Sequence, residues 1–139
     1  MVWLDVEKHS LLGSVHLVRH WLGILHFVKT SRSDRTGIPR DKLPQDHPVN
    51  HECEANAAAL INISRRRLCM QASPETREAW QEVKAAIALT DPIMASMMVP
   101  DCLYRGKICR EYPGCGWVTT PDAQKMWEEY NFIPPKETR

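Results

Sequence analysis

The segment from His51 to Gln71 is the strongest constraint on the fold, because it contains neither glycine nor proline and is rich in Ala, Leu, Ile and Arg. Such a segment is typical of a helix, and we predict one over its whole length. A second helix is predicted directly behind it. Ser73 is a good N-cap, Pro74 suits the first helical position, and Glu75 places a negative charge in the first turn.

The remaining segments also favour helices. Apolar residues recur three and four positions apart over Glu7–Lys29, which predicts a first helix, although His26–Lys29 also suits a short strand. The helix that follows Ser73 is predicted to continue to about Leu89. Asp91-Pro92 and Thr120-Pro121 are two further helix starts of the N-cap and proline type. We therefore predict a mainly α fold, with an α+β fold that includes a small strand element as the alternative.

Two loops interrupt the predicted helices. The segment 30–50 contains Gly37, Pro39, Pro44 and Pro48 together with several basic side chains, so we predict a basic loop there. A cysteine-bearing loop is predicted at 101–116. A length of 139 residues suits one domain, since domains usually hold about 100–200 residues. We expect a single compact helical domain over residues 1–133 and a frayed tail at 134–139.

Composition disfavours several functional classes. Lys and Arg number 18 against 17 Asp and Glu, a net charge of +1, so no overall field indicates nucleic acid or a membrane surface as a partner. No apolar run approaches the ~18 residues of a membrane span. The first residues lack the basic region of a secretory signal. We therefore expect a cytoplasmic protein without a membrane partner.

The five cysteines are an odd number without a secretion signal, which disfavours a disulfide framework. Three of them lie in the 101–116 loop and make it a candidate zinc site, because thiolates are preferred ligands of zinc in proteins. These ligands are Cys102, Cys109 and Cys115, and a fourth would come from Cys53, Cys69 or His51. The alternative is that the thiols pack as small hydrophobic groups.

The helix predicted over His51–Gln71 carries a candidate ligand-binding stripe. Asn56 and Arg67 fall on one side of it, about 16 Å apart after three helical turns. An amide and a guanidinium at that separation can span a nucleotide-sized ligand, with Arg67 binding a phosphate through two hydrogen bonds. The alternative is a solvated basic patch formed by Arg65, Arg66 and Arg67.

The same stripe resembles a motif of the flavin-dependent thymidylate synthases. That family carries an Asn-Ala-Arg segment, a second Asn and a Leu-Arg one helix later. Asn56-Ala57-Ala58, Asn62 and Arg66-Arg67 fall on that pattern. The resemblance implies that Asn56 and Asn62 contact the flavin and that Arg67 contacts deoxyuridine monophosphate.

A second motif of the family is Arg-His-Arg, followed by Ser and then by Ser-x-Arg. Arg19-His20-Trp21 and Thr30-Ser31-Arg32 are similar to it, with Trp21 in place of the third basic residue. The resemblance implies that Arg19, His20 and Arg32 lie near the phosphate of a nucleotide.

The resemblance also implies a function. We expect a nucleotide-binding protein with part of the thymidylate synthase fold, which takes FAD and a deoxyuridine monophosphate-like nucleotide. If the chain is an enzyme, it is a synthase-like methyltransferase that catalyses reductive methylation of deoxyuridine monophosphate. The family's active site lies between subunits, so we expect a homo-oligomer. The alternatives are a non-catalytic binding or inhibitor module derived from this fold and a zinc-stabilised helical interaction domain.

Overall fold

The structure is a computed structural model that describes residues 1–29, 32–44 and 46–131. In these residues, seven α-helices accompany a three-stranded antiparallel sheet with the strand order β1-β3-β2. The strands are β1 (Val2–Ser10), β2 (Ile24–Val28) and β3 (Pro48–Ala55). The fold is therefore α+β, and the prediction of a mainly α fold is wrong. The tail predicted at 134–139 lies outside the described residues.

The first helix predicted over Glu7–Lys29 is divided among three elements. The segment begins at the end of β1, continues as α1 (Leu11–Val18) and ends in β2. Gly23 separates the helix from the strand, because its φ of 75° belongs to the left-handed region that glycine adopts most easily. The alternative of a short strand in this segment is thus confirmed, although β2 begins two residues earlier than the expected start at His26.

The helix predicted over His51–Gln71 is also too long. Its first residues belong to β3, and the helix α3 (Ala57–Arg67) begins only after Asn56, whose side chain accepts a hydrogen bond from the backbone N–H of Ala59. Burial alternates along β3, since every second side chain from Val49 to Ala55 is buried. Such a period of two marks a strand. It was missed because the buried face carries His, Cys and Ala instead of large apolar residues.

The later helices agree with their predicted starts. They are α4 (Pro74–Ala88), α5 (Pro92–Met97) and α7 (Pro121–Tyr130), each with proline in its first turn. The loops hold shorter pieces, namely α2 (Ser33–Thr36), α6 (Asp101–Tyr104) and two 3-10 turns at Arg40–Lys42 and Trp117–Thr119. Cap chemistry is local, which explains why sequence reasoning located these starts.

The core lies between the sheet and the helices α3 and α4. The indole N–H of Trp80 on α4 donates to the hydroxyl of Ser64 on α3 at 2.9 Å, and that hydroxyl donates to the carbonyl of Leu60 at 2.7 Å. Both hydrogen bonds are buried, so the polar atoms at this helix contact are satisfied. No helix in the described part of the chain is long and apolar enough to cross a membrane.

Candidate functional site

A chain of hydrogen bonds runs from α1 through the sheet to the loop before β2. The hydroxyl of Ser14 lies 2.9 Å from Nδ1 of His51, and Nε2 of His51 lies 2.9 Å from Nδ1 of His26. Nε2 of His26 then lies 2.6 Å from the carbonyl oxygen of His20. A carbonyl oxygen can only accept a hydrogen bond, so with neutral rings the direction of the whole chain is fixed. Nε2–H of His26 donates to the His20 carbonyl, and Nε2–H of His51 donates to Nδ1 of His26. The hydroxyl of Ser14 then donates to Nδ1 of His51.

Cys53 adjoins this chain of hydrogen bonds. Its sulfur and one ring nitrogen each of His26 and His51 all lie within 4.8 Å of one another, so the three residues can hold a metal ion. Burial raises the pKa of the Cys53 thiol to about 11, which keeps it protonated when no cation is bound. Sequence analysis considered His51 and Cys53 only as a fourth ligand for the distant loop. The signal was present, because His51 and Cys53 lie two apart on one strand and share a face.

Arg67, at the end of α3, holds His20 in place. Its Nε donates to Nε2 of His20 at 3.0 Å, and its Nη2 donates to the carbonyl of His16 at 2.6 Å. Burial, followed by the charges of Arg67, His26 and Arg66, lowers the pKa of His20 to about 4. His20 is therefore neutral near pH 7. Because its Nε2 accepts from Arg67, its proton lies on Nδ1.

Three of the predicted site residues share one surface cleft next to this pair. The cleft has a volume of about 300 Å³ and is lined by Arg19, His20, Trp21 and Asn62, with Leu22, Ala59 and Ile63 as its apolar part. Trp21 is 77% exposed, so its indole presents a flat aromatic surface at the cleft. Arg67 does not line the cleft but positions His20 from behind it.

The other two predicted site residues lie elsewhere. Asn56 is the N-cap of α3, and its carboxamide fills the space over Gly23, where a Cβ would lie 2.6 Å from Nδ2 of Asn56. Arg32 is exposed at the start of α2, where its Nε donates to the Asp34 carboxylate at 3.0 Å. The structure therefore assigns Asn56 a capping contact, and Arg32 is exposed and is not among the residues that line the cleft.

The cysteines of the 101–116 loop line a second cavity, of about 330 Å³. Cys69, from the turn that follows α3, lines the same cavity as Cys102, Cys109 and Cys115. Arg65 lines it as well, with its guanidinium 3.4 Å from the ring centre of Tyr104. The interpretation of Arg65 as part of a solvated patch is thus wrong for this side chain, which is half-buried and stacked on an aromatic ring.

Comparisons with protein-family models, with curated proteins and with solved structures find no match for this chain.

Proposed function

We propose that this chain binds a nucleotide in the cleft lined by Arg19, His20, Trp21 and Asn62. The observation that carries the proposal is that one small cleft combines a cation, a neutral imidazole, an exposed indole and an amide. Each group suits one part of a nucleotide. Arg19 matches the phosphate, the face of Trp21 matches the base, and Asn62 can bond a base edge or a sugar hydroxyl.

His20 completes this set as a hydrogen-bond donor. Its Nε2 is occupied by Arg67, which leaves the Nδ1–H to donate to a phosphate or carbonyl oxygen. Arg66 and Arg67 add positive charge behind the cleft, and both contribute to the low pKa of His20. An anionic ligand relieves this concentration of positive charge, whereas a cationic ligand adds to it.

The resemblance of Asn56-Ala57-Ala58, Asn62 and Arg66-Arg67 to the flavin-dependent thymidylate synthases supports a more specific form of the proposal. In this form the ligand is a deoxyuridine monophosphate-like nucleotide, FAD is the cofactor, and an active chain catalyses reductive methylation. Trp21 stands where that family has a basic residue, so the cleft has one cation fewer and one stacking surface more. That replacement favours a non-catalytic nucleotide-binding module as the second candidate.

We propose a homo-oligomer as the functional state. The outer face of the sheet supports this, because Trp3 and Phe27 are half exposed and stack on each other with ring centres 5.5 Å apart. The strand register places Glu52 and Glu54 on the same face of the sheet, on the central strand β3, opposite Phe27 and Trp3 respectively. An apolar face with an acidic strip suits the exposed basic loop of a second copy. Light scattering that shows only a 16.0 kDa species at micromolar concentration would contradict the oligomer.

Calorimetric titration of the full chain with deoxyuridine monophosphate and, separately, with FAD tests the nucleotide proposal. Arg19→Gln is expected to weaken binding by about 1.5–3 kcal/mol, the contribution of a charge-assisted hydrogen bond. Trp21→Ala is expected to cost about 1–3 kcal/mol if a base stacks there. Absence of binding by the unmodified protein, or binding that neither variant changes, would overturn the proposal.

Arg110→Gln is the matched control, because Arg110 lines the cysteine cavity and not the cleft. It removes the same charge from the chain at a different cavity, so nucleotide affinity is expected to stay within a factor of two or so of the unmodified protein. A loss in Arg110→Gln equal to that in Arg19→Gln would mean that the ligand responds to overall charge or binds in the other cavity.

A further inference from the structure

We propose that Cys69, Cys102, Cys109 and Cys115 together bind one zinc ion that fastens the 101–116 loop to the end of α3. All four side chains line the same 330 Å³ cavity, although Cys69 is far from the other three in sequence. The sequence allows Cys53, Cys69 or His51 as the fourth ligand, and the fold favours Cys69 because it lines the same cavity as the other three. Cys53 is buried in the sheet beside His26, whereas Cys69 opens onto the loop cavity.

The four thiols come from two parts of the chain, the turn after α3 and the 101–116 loop, and line one cavity. Zinc is the ion that four cysteines bind most readily in a reducing cell.

The surroundings of the cavity suit the charge of such a centre. Zinc with four thiolates carries a net charge of about −2. The charged residues that line the same cavity are four arginines and two acids: Arg65, Arg66, Arg67, Arg110, Asp101 and Glu111. Nε of Arg65 is buried, and within the described residues it has no hydrogen-bond partner. A buried donor without an acceptor is costly, and thiolate sulfurs are acceptors of the kind that it lacks.

A side-chain hydrogen bond connects the two parts of the chain that carry the cysteines. The side chain of Gln71 donates to the carbonyl of Pro113 at 2.9 Å, which holds the loop against the turn after α3. This contact keeps Cys69 and the cysteines of the loop at the same cavity.

The sulfurs must approach one another to complete a tetrahedron. Over residues 1–29, 32–44 and 46–131, the one group of three or more such ligand atoms within 4.8 Å of one another is His26, His51 and Cys53, so no three of the four sulfurs are that close together. Sulfurs around zinc lie about 3.8 Å apart. Cys109 and Cys115 sit on an irregular, glycine-containing loop, and a Cβ on Gly106 or Gly116 would meet no described atom within 4 Å. The backbone is therefore unobstructed at these two glycines, whereas a Cβ on Gly114 would lie 3.6 Å from the sulfur of Cys109.

Beyond Leu103, which is fully buried, the loop has little hydrophobic burial to order it. Ile108 is 63% exposed and Tyr112 is fully exposed, so these two larger apolar side chains contribute little burial. Segments of this kind are often held by a metal instead of a core, and the free energy of metal binding then becomes folding free energy. The His26–His51–Cys53 group differs, because its ring nitrogens already bond each other, Ser14 and the His20 carbonyl.

The zinc content of the purified full chain is measured by inductively coupled plasma mass spectrometry. We expect about one zinc per chain, and X-ray absorption is expected to show four sulfur neighbours at about 2.3 Å. Chelation is expected to lower Tm by roughly 10 °C or more. A metal-free chain with unchanged Tm after chelation, nitrogen neighbours around the zinc, or an iron–sulfur absorbance spectrum would each overturn the proposal.

Variants separate this site from the sheet cluster. Cys69→Ser and Cys109→Ser are each expected to lower the zinc content to less than about a fifth of that of the unmodified chain. Cys53→Ser is the matched control and is expected to keep about one zinc per chain, even though it alters a buried position. Zinc lost in Cys53→Ser but kept in Cys109→Ser would place the metal in the sheet. If a variant fails to fold, the X-ray absorption result on the unmodified chain still decides.

Discussion

Nε of Arg67 donates to Nε2 of His20 at 3.0 Å, although the two residues are 47 positions apart in the sequence. The bond connects the end of α3 to the loop that follows α1. It fixes the tautomer of His20 and leaves its Nδ1–H as the donor at the cleft. Arg67 is thus a positioning residue in this structure, whereas sequence analysis predicted that it touches the ligand directly.

The first prediction concerns pH. The folded state holds the pKa of His20 at about 4, below its ordinary value of 6.5, through burial and the charge of Arg67. As pH falls below about 6.5, His20 becomes protonated in the unfolded chain but stays neutral in the folded chain. The stabilisation is therefore complete above pH 6.5 and is lost as pH falls towards 4. We expect a loss of about 1–2 kcal/mol over this window, since solvent screens a half-exposed ring.

Urea denaturation at several pH values between 7 and 4 measures this loss. His20→Gln is expected to show a smaller decrease in unfolding free energy over the same range. His47→Gln, which changes a histidine outside the network, is expected to follow the unmodified protein. An identical pH dependence in His20→Gln and the unmodified protein would show that His20 is not responsible.

The second prediction separates Arg67 from its neighbour. Arg67→Ala leaves the His16 carbonyl and the His20 ring without their donor, so we expect a loss of about 1–3 kcal/mol in unfolding free energy. It is also expected to raise the pKa of His20, because a positive charge beside the ring is removed. Arg66→Ala, at an exposed position, is expected to cost less than about 0.5 kcal/mol. Thermal unfolding and NMR titration of His20 report both effects, and equal losses in the two variants would contradict the assignment.

The third prediction tests the direction of the buried hydrogen-bond chain. Ser14→Ala removes the hydroxyl that donates a buried hydrogen bond to Nδ1 of His51. We expect a cost of about 1–3 kcal/mol. Ser33→Ala at an exposed position is the control, with an expected change within about 0.5 kcal/mol. Chemical denaturation measures both, and a cost in Ser14→Ala no larger than in Ser33→Ala would argue against this role.

The parts of the fold that sequence reasoning located depend on local chemistry. Asp91-Pro92 and Thr120-Pro121 start helices because the cap side chain and the proline act within one turn. Strand β3 depends instead on pairing with β1 and β2, which lie far from it in sequence. Its Glu, Cys and Ala residues do not favour a strand by themselves, so the neighbouring strands decide its conformation.

The candidate site likewise combines features that local sequence specifies with contacts between distant segments. Arg19, His20 and Asn62 were selected from short motifs, and they do line one cleft. The bond from Arg67 to His20 and the approach of Cys69 to the cysteine loop join segments that are distant in sequence, and no local pattern specifies them. The capping role of Asn56 was locally readable, since it precedes α3 directly, but the helix was predicted to begin earlier.

The last prediction concerns Gly23, which connects the cleft to β2. Gly23 and Gly37 have nearly the same backbone, with φ values of 75° and 71°. Replacement by alanine strains both equally, at about 1–2 kcal/mol. The difference lies in their surroundings: a Cβ at Gly23 would lie 2.6 Å from Nδ2 of Asn56, whereas no described atom comes within 4 Å of a Cβ at Gly37.

Gly23→Ala must therefore displace the Asn56 side chain, which caps α3 by accepting from the N–H of Ala59. Loss of such a cap costs about a further 0.5–2 kcal/mol. We expect Gly23→Ala to be less stable than Gly37→Ala by about that amount in chemical denaturation. In the double variant Gly23→Ala with Asn56→Ala, the Asn56 carboxamide that would clash with the new Cβ is absent. The double variant is therefore expected to lose less stability than the sum of the two single changes. Additive losses would mean that the contact between Gly23 and Asn56 does not restrict the turn.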